Sequence, residues 1–307
     1  MNKSKLLMIT FMSLMLTSVL SVNAEESDKA DDSFQKVEIE SIDLGNGIYM
    51  LMGKGGNIGI SVGDDGVFMI DDQFAPLTPK IKSAIKKLSD KPIRFMINTH
   101  WHYDHTGGNE NLGNDGVVIV AHNNVRERMS KDGFIEAFNK KIPASPKLAL
   151  PVITFNDTVN FHLNNLDINV IHQRNAHTDG DSIVLFKSAN VIHMGDTFFN
   201  GLYPFIDGSS KGSVNGMIKA TDYVLAISDD KTKIIPGHGP LGDRKSLKEF
   251  RSMLIIVRDR MQKLMDQGKT LDEIITLKPN ADFDKAWGET FLSPEMFLKV
   301  LYSAMPK

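Results

Sequence analysis

The 307-residue sequence contains no cysteine. Disulfide bonds and thiolate metal ligands are therefore excluded, and a metal site in this chain has to use histidine and carboxylate side chains. A strong excess of positive charge is also missing, because 35 basic residues face 38 acidic residues, a formal net charge of −3. This balance argues against the basic surface that nucleic-acid binding requires, so we expect a small-molecule substrate and no nucleic acid.

Long apolar runs are missing after the N-terminal region. The N-terminal run from Leu6 to about Leu20 follows Lys3 and Lys5 and precedes small residues up to Ala24, which is typical of a secretory signal peptide. The run is short for a membrane span and contains Thr and Ser, so we expect cleavage after Ala24 and no membrane anchor. The predicted mature chain has 33 basic and 38 acidic residues, a net charge of −5, and is periplasmic or secreted.

The sequence also lacks a linker rich in proline, glycine and serine, so residues 25–307 are predicted to form a single domain. Short apolar segments separated by turn residues predict strands, and apolar residues spaced by three and four predict helices. The predicted strands are 48–52, 58–62, 67–70, 93–97, 117–121, 152–155, 158–161, 166–171, 182–186 and 191–194. The first predicted helix begins near Thr78, and the others cover 123–130, 246–267, 271–277 and 294–305. Strands with a few helices in each half predict an α+β fold of two packed sheets with helices outside, a four-layer αββα sandwich.

A cluster of possible metal ligands follows the predicted strand 93–97. It is the run His100-Trp101-His102-Tyr103-Asp104-His105. Alternate side chains of an extended segment point to the same side, and a turn can then send the last two ligands to a neighbouring point. Further candidates follow later strands, namely His177, Asp196 and His238. Imidazole and carboxylate suit Zn²⁺ when thiolate is missing, and a catalytic zinc keeps one position open.

Taken in order, the motifs His-x-His-x-Asp-His, a lone His, Gly-Asp and Gly-His-Gly resemble those of the metallo-β-lactamase superfamily, from about Ile48 to Gly239. The resemblance implies two zinc ions per chain. It assigns His100, His102 and His177 to the first ion, Asp104, His105 and His238 to the second, and Asp196 to a bridging position. It also implies that Asp71 supports the site without binding metal. The histidines outside the motif positions are interpreted as structural, namely His122, His162, His172 and His193.

The predicted activity is hydrolysis of an acyl bond. Two zinc ions lower the pKa of a shared water and polarise a carbonyl group, which leads to attack by a metal-bound hydroxide. Asp104 is then a catalytic residue that binds and orients, since a carboxylate bound to zinc has lost most of its basicity. The predicted substrate is a cyclic amide or ester, that is, a β-lactam or a lactone.

Several alternatives stay open at this point. The resemblance weakens two substrate classes, because well-known β-lactamases of the family carry Cys where this chain has Asp196, and many lactonases carry Tyr where it has Phe199. Tyr203 and Lys211 are candidate substrate contacts, while Trp101 and Tyr103 are interpreted as packing residues near the pocket. A glyoxalase-type thioesterase, a single-iron persulfide dioxygenase and a binding protein with structural metal are the alternative functions. The oligomeric state is not predicted.

Overall fold

The computed structural model describes residues 33–305. The predicted signal peptide, residues 1–24, lies outside the described residues. The chain divides into two units, residues 1–38 and 39–307. Of the first unit, only residues 33–38 are described, and they begin with a helical turn at 33–35. Between residues 33 and 305, no helix combines the length and the apolar character needed to cross a bilayer.

The second unit contains fourteen strands and nine α-helices among the described residues. The strands are β1 Glu40–Gly45, β2 Ile48–Met52, β3 Ile58–Gly63, β4 Gly66–Ile70, β5 Ile93–Asn98, β6 Val118–His122, β7 Gly133–Ile135, β8 Lys140–Ile142, β9 Ile153–Phe155, β10 Thr158–Leu163, β11 Leu166–His172, β12 Ser182–Phe186, β13 Val191–His193 and β14 Lys233–Ile235. The helices are α1 Thr78–Lys86, α2 Tyr103–Thr106, α3 Asn109–Asn114, α4 Asn123–Met129, α5 Val214–Ile227, α6 Arg244–Asp266, α7 Leu271–Leu277, α8 Asp284–Trp287 and α9 Pro294–Ser303.

Two large sheets form the centre of the fold. The first has the order β1-β2-β3-β4-β5-β6-β9, antiparallel from β1 to β4 and parallel from β4 onward. The second has the order β10-β11-β12-β13-β14, antiparallel except for its last pair. The strands β7 and β8 form a separate hairpin.

Apolar side chains from both sheets form one core cluster. Phe68 and Ile70 of β4 and Ile97 of β5 join Val170 of β11 and Val184 of β12, and all five are fully buried. These residues sit at alternate positions of their strands, so each strand turns one apolar face toward the other sheet. The two sheets are therefore packed face to face.

A second core cluster joins the second sheet to the helices. Ile183 and Leu185 of β12, which face away from the first cluster, pack with buried residues of α5, α6 and α9. Helix α6 presents Leu247, Leu254 and Met261 on one face, as a spacing of seven residues requires. Together with α1, whose Ile81 and Ile85 are buried, these layers confirm the predicted αββα sandwich.

Some elements go beyond the predicted ones. The apolar spacing did not predict strands β1 and β14, the β7–β8 hairpin or helix α5. Of these, β7, β8 and β14 have only three residues each, too few to show an alternating pattern. Helix α6 begins two residues earlier than predicted, because Asp243 caps it by accepting a hydrogen bond from the Ser246 backbone N–H at 2.8 Å.

Strand direction brings the candidate ligands to one edge of the sandwich. Strands β11, β13 and β14 run the same way, so their carboxyl ends meet at one edge of the second sheet. Strand β5 ends beside them, where the Ser182 backbone N–H donates to the Thr99 carbonyl oxygen at 2.9 Å. The four loops that carry the histidines and Asp196 thus converge from both sheets.

Candidate metal centre

The first ligand candidates lie between the end of β5 and the end of α2. His102 has extended backbone, with φ −66° and ψ 146°, and is the residue before the short helix. Asp104 and His105 lie within that helix. The change from extended to helical backbone turns the last two side chains toward a second point, as the sequence pattern predicts.

Two neighbouring groups of side chains could each hold a metal ion. The first comprises His100, His102, His177 and Asp196, and the second comprises Asp104, His105 and His238. Within each group the candidate ligand atoms lie within 4.8 Å of one another. The structure therefore brings together all seven residues that the sequence assigns as metal ligands.

Asp196 lies between the two groups. Its Oδ2 is 3.4 Å from Nε2 of His177 and 3.4 Å from Nε2 of His238. Its Oδ1 is 3.0 Å from Nε2 of His105. One carboxylate thus faces nitrogen atoms of both groups, as a bridging ligand must.

The hydrogen bonds of the first group fit a cation. Nδ1 of His177 donates to the Phe205 carbonyl oxygen at 2.8 Å, so Nε2 of this ring carries a lone pair. Nε2 of His102 donates to the Asp207 carboxylate at 3.1 Å, so its Nδ1 carries another. These two acceptor nitrogens lie only 2.8 Å apart. Two facing lone pairs repel each other, whereas a bound cation accepts both.

The third nitrogen of this group is also unsatisfied. Nε2 of His100 is buried and has no hydrogen-bond partner. Burial lowers the pKa of His100 well below its usual value, and the neighbouring His105 adds to this effect. Burial likewise lowers the pKa of His177 to about 4. Both rings are therefore neutral at pH 7, which is the form that binds metal.

The imidazoles of the second group lie close to several carboxylates. Burial alone would lower the pKa of His105, but the carboxylates of Asp196, Asp104 and Asp71 outweigh it and raise this pKa well above its usual value. In the same way Asp196 and Asp104 overcome burial and raise the pKa of His238 to about 9. Without metal, protons take the place between these nitrogens and carboxylates. A divalent cation would supply the same positive charge.

Asp71 connects the two groups. Its Oδ2 accepts hydrogen bonds from Nδ1 of His105 at 2.8 Å and from the Thr99 hydroxyl at 2.7 Å. That hydroxyl oxygen lies 3.1 Å from Nδ1 of His100 and accepts its proton. Asp71 is fully buried and has a φ of +61°, a conformation that aspartate and asparagine tolerate better than most residues. A single carboxylate thus orients one imidazole of each group.

Two glycines make room for the cluster. A Cβ at Gly56 would lie 2.0 Å from Cε1 of His105, and a Cβ at Gly237 would lie 2.1 Å from Oδ1 of Asp196. Real Cβ contacts are never this short, so both positions require glycine while the ligands keep their places. The Gly237 constraint gives a physical reason for the Gly-His-Gly pattern in the sequence.

The cluster opens into a cavity of about 200 Å³. Asp104, whose side chain is 29% exposed, lines this cavity together with His102, Asp196 and His238. The remaining walls are mostly apolar and come from Phe74, Trp101, Tyr103, Ile135, Phe138, Ile142, Phe205 and Phe291, with Lys140 among them. The site is therefore reachable by a small molecule, unlike a closed structural metal site.

The two candidate substrate contacts do not lie in this cavity wall. Tyr203 is fully buried, its hydroxyl donates to Asp284 at 2.8 Å, and its ring stacks on Phe297. Lys211 is exposed, with its Nζ 3.6 Å from Asp179. By contrast, Trp101 and Tyr103 do line the cavity. Tyr203 is close to Asp196 in the sequence, but this proximity did not predict its position in the structure.

The four histidines outside the motif positions have other partners. His193 is fully buried and its Nε2 donates to the Asn57 carbonyl oxygen at 3.1 Å. The rings of His122 and His172 stack at 3.8 Å between centroids. His162 is exposed and lies 2.7 Å from Asp167. None of the four belongs to either group of candidate ligands.

Two functional residues carry no signal in the sequence. Asp207 holds His102, and its own carboxylate accepts hydrogen bonds from the Ser209 hydroxyl and the Ser210 backbone N–H. Phe205 holds His177 through a backbone carbonyl group, which any residue type would offer. The segment lies far from the histidine run along the chain, so only the folded structure reveals these contacts.

The chain is similar in sequence to known proteins. The family model described as the metallo-beta-lactamase superfamily matches residues 52–243. A hydroxyacylglutathione hydrolase from Pelagibacter ubique (strain HTCC1062) is 27% identical over 161 residues, which cover 51% of this chain and 57% of that protein. The chain thus spans little more than half the length of this relative.

Solved structures agree with the fold. A metallo-beta-lactamase from Pontibacter korlensis matches with a TM-score of 0.58 at 18% identity, over 71% of this chain and 99% of that one. The sec-alkylsulfatase Pisa1 from Pseudomonas sp. matches with a TM-score of 0.64 at 17% identity, over 86% of this chain and 50% of that one. At such identities the likeness concerns the fold alone.

Proposed function

Since this chain belongs to the metallo-beta-lactamase superfamily, we propose that it is a zinc-dependent hydrolase that opens a cyclic amide or ester. The observation that carries this proposal is the pair of facing acceptor nitrogens, Nδ1 of His102 and Nε2 of His177, 2.8 Å apart at the floor of an open cavity. Histidine and carboxylate ligands without thiolate suit zinc. We further propose two zinc ions per chain, because Asp196 faces both groups of ligands.

Bound zinc would supply polarisation of a carbonyl group and a nucleophilic water with a lowered pKa. The side chains contribute orientation and charge. Burial alone would raise the pKa of Asp104, but His105 and His238 lower it well below its usual value, so Asp104 is an anion at neutral pH. An anion with so low a pKa accepts a proton poorly, so Asp104 binds and positions groups at the cavity floor and is a weak general base.

The cavity favours a compact acyl substrate. Its aromatic wall residues exclude water around the reacting bond, which strengthens electrostatic interactions at the cavity floor. Phe291 and Phe199 lie nearly parallel to the His238 ring, at 5.8 and 5.2 Å between centroids. This stacking restricts the orientation of the His238 ring.

A thioester is the second candidate substrate. The hydroxyacylglutathione hydrolase that matches half of this chain supports it. Both candidates need the same ligand set, so the leaving group distinguishes them and the metal site does not. Penicillins, carbapenems, acyl-homoserine lactones and simple thioesters form a suitable panel, assayed with the zinc-loaded protein.

The test compares the zinc-loaded protein, the chelated protein and His102→Ala on this panel. The proposal predicts acyl hydrolysis that disappears on chelation, returns with zinc and is lost in the variant. Full hydrolysis after chelation, or in His102→Ala, would contradict it. One bound iron with oxygen consumption would instead support a persulfide dioxygenase.

We also propose that the enzyme is exported. The lysines, apolar run and small residues that precede Glu25 support this proposal. N-terminal sequencing of the protein from a periplasmic extract tests it. A mature chain that starts at Glu25 is expected, and an intact N-terminus in the cytosolic fraction would contradict export.

A further inference from the structure

A second cavity adjoins the one above the metal centre. It measures about 300 Å³ and shares four wall residues with the first, namely Trp101, Tyr103, Lys140 and Ile142. Its other walls come from α4 and from the segment after β8, and they include the apolar side chains of Met129, Pro143 and Pro146. The two cavities therefore form neighbouring compartments, with Lys140 at the wall between them.

The β7–β8 hairpin forms that wall. Ile135 pairs with Lys140, and Gly133 pairs with Ile142, so all four lie on one face of the hairpin. Ile135, Lys140 and Ile142 line the metal cavity, which identifies this face as the inner one. Lys141 lies on the opposite face and does not line the metal cavity.

The hairpin is held by the segment that supports the metal ligands. The ring of Phe138, near its tip, packs on Phe205 at 4.8 Å between centroids. The Ser209 hydroxyl oxygen, whose proton is shared with the Asp207 carboxylate, lies 3.3 Å from the Phe134 carbonyl oxygen. Since Phe205 also holds His177 through its carbonyl group, the inner face of the hairpin has a defined position relative to the metal centre.

Lys140 has no acidic partner. Within residues 33–305, no carboxylate forms an ion pair with it. The acidic residues of the metal cavity, Asp104 and Asp196, face histidine nitrogens. The second cavity has no acidic wall residue, and its other cationic wall residues are Lys141 and Arg128, of which Arg128 is paired with Asp179 at 2.7 Å. Lys140 is exposed at the wall that the two cavities share and has no acidic partner among the described residues, so its charge can pair with an anion that enters from solvent.

We propose that Lys140 binds a carboxylate on the part of the acyl substrate farthest from the scissile bond. The apolar portion of this substrate occupies the metal cavity, against the inner face of the hairpin. This inference rests on the proposed function and adds the substrate class, an acyl compound with an apolar group that ends in a carboxylate. Because Lys140 lies away from the metal ligands, it can bind this carboxylate outside the metal centre. The carboxylate then does not compete with the scissile carbonyl group for the metal.

The test uses two 4-nitrophenyl esters of equal chain length, the hexanoate ester and the adipate monoester, which differ in a terminal carboxylate. We expect Lys140→Ala to lower kcat/KM for the adipate monoester roughly tenfold, mainly through KM. The hexanoate ester should change less than about twofold, and Lys140→Arg should retain the preference. Lys141→Ala removes the same charge from the opposite face, at a residue that lines the second cavity but not the metal cavity, and is the matched control.

A binding measurement separates this inference from the proposed function. Titration of the zinc-loaded protein with adipate monoamide, followed by tryptophan fluorescence, needs no catalysis. Weaker binding in Lys140→Ala than in Lys141→Ala supports the inference even if neither ester is hydrolysed. Failure to hydrolyse any member of the panel of β-lactams, lactones and thioesters would overturn the proposed function alone. Equal effects of the two variants in both assays would overturn the role of Lys140.

Discussion

Nε2 of His102 donates a hydrogen bond of 3.1 Å to the carboxylate of Asp207, and both side chains are buried. Burial alone would raise the pKa of Asp207, but the hydrogen bonds from His102, Ser209 and Ser210 lower it well below its usual value. The anion therefore keeps the proton of His102 on Nε2, and Nδ1 stays free to bind metal. A carboxylate 105 residues away along the chain thus sets the tautomer of a ligand.

Asp207→Asn tests this relationship. The amide can donate as well as accept, so it no longer fixes the proton of His102 on Nε2. We expect zinc affinity to fall about 10- to 100-fold, the usual effect of losing such a carboxylate. Competition with a chromogenic chelator measures it. Asp222→Asn makes the same chemical change at an ion pair with Arg251 on the surface, and an equal loss there would contradict a specific role for Asp207.

Asp71→Asn is expected to weaken both metal sites. Asparagine tolerates the positive φ at this position, so the change removes charge without adding much backbone strain. Because Asp71 orients His105 directly and His100 through Thr99, both zinc-binding steps should become weaker by roughly tenfold or more. Calorimetric titration resolves the two steps. If only one step changes, the proposed link through Thr99 is wrong.

Gly56→Ala is expected to disturb the second site by steric conflict. The added methyl group would lie 2.0 Å from His105, which must move away from Asp196 and His238. We predict loss of one zinc per chain and of hydrolysis, detected by metal analysis. Gly268→Ala is the control, because its methyl group meets no atom within 4 Å, although its φ of +75° strains the backbone by about 1–2 kcal/mol. The control should lose stability and keep its metal.

The stacked pair of His122 and His172 predicts acid sensitivity. Burial, aided by the charge of His172, lowers the pKa of His122 from 6.5 to about 4, although Asp179 and Asp157 oppose the shift. Between pH 6.5 and about 4, His122 therefore binds a proton in the unfolded chain but not in the folded chain. The contribution of His122 to stability is complete above pH 6.5 and is lost as the pH falls toward 4.

His122→Asn measures this contribution. Asparagine can still cap α4 by accepting the Asn124 backbone N–H, as Nδ1 of His122 does at 3.2 Å. Thermal unfolding between pH 7.5 and 5 should show a smaller loss of Tm in the variant than in the natural protein. His162→Asn changes an exposed histidine and should leave the slope unchanged. Parallel curves for all three proteins would contradict the prediction.

The sequence predicts the layers of the fold and the identity of the ligand candidates because both depend on local patterns. Apolar alternation indicates the strands, and each of His100, His177, Asp196 and His238 follows a strand directly or within a short loop. The ends of these strands then bring the ligands together. A local sequence pattern was thus sufficient to predict a ligand candidate wherever that residue follows the end of a strand.

The remaining parts of the site depend on contacts between distant segments. Asp207 contacts His102 from an irregular segment, and Lys140 lines the cavity from a hairpin with three-residue strands. Neither segment has a recognisable periodicity. Tyr203 shows the opposite case. It lies only seven residues after Asp196, yet the turn at 200–201 directs it into the core against Phe297.

The central claim is that two zinc ions are held by two ligand groups that share Asp196. Native mass spectrometry of the zinc-loaded protein tests it most directly by counting the ions on each chain. The account predicts two ions on the natural protein and one on His238→Ala, which removes a ligand of the second group alone. A natural protein that binds no zinc or a single ion, or a variant that still binds two, would contradict it.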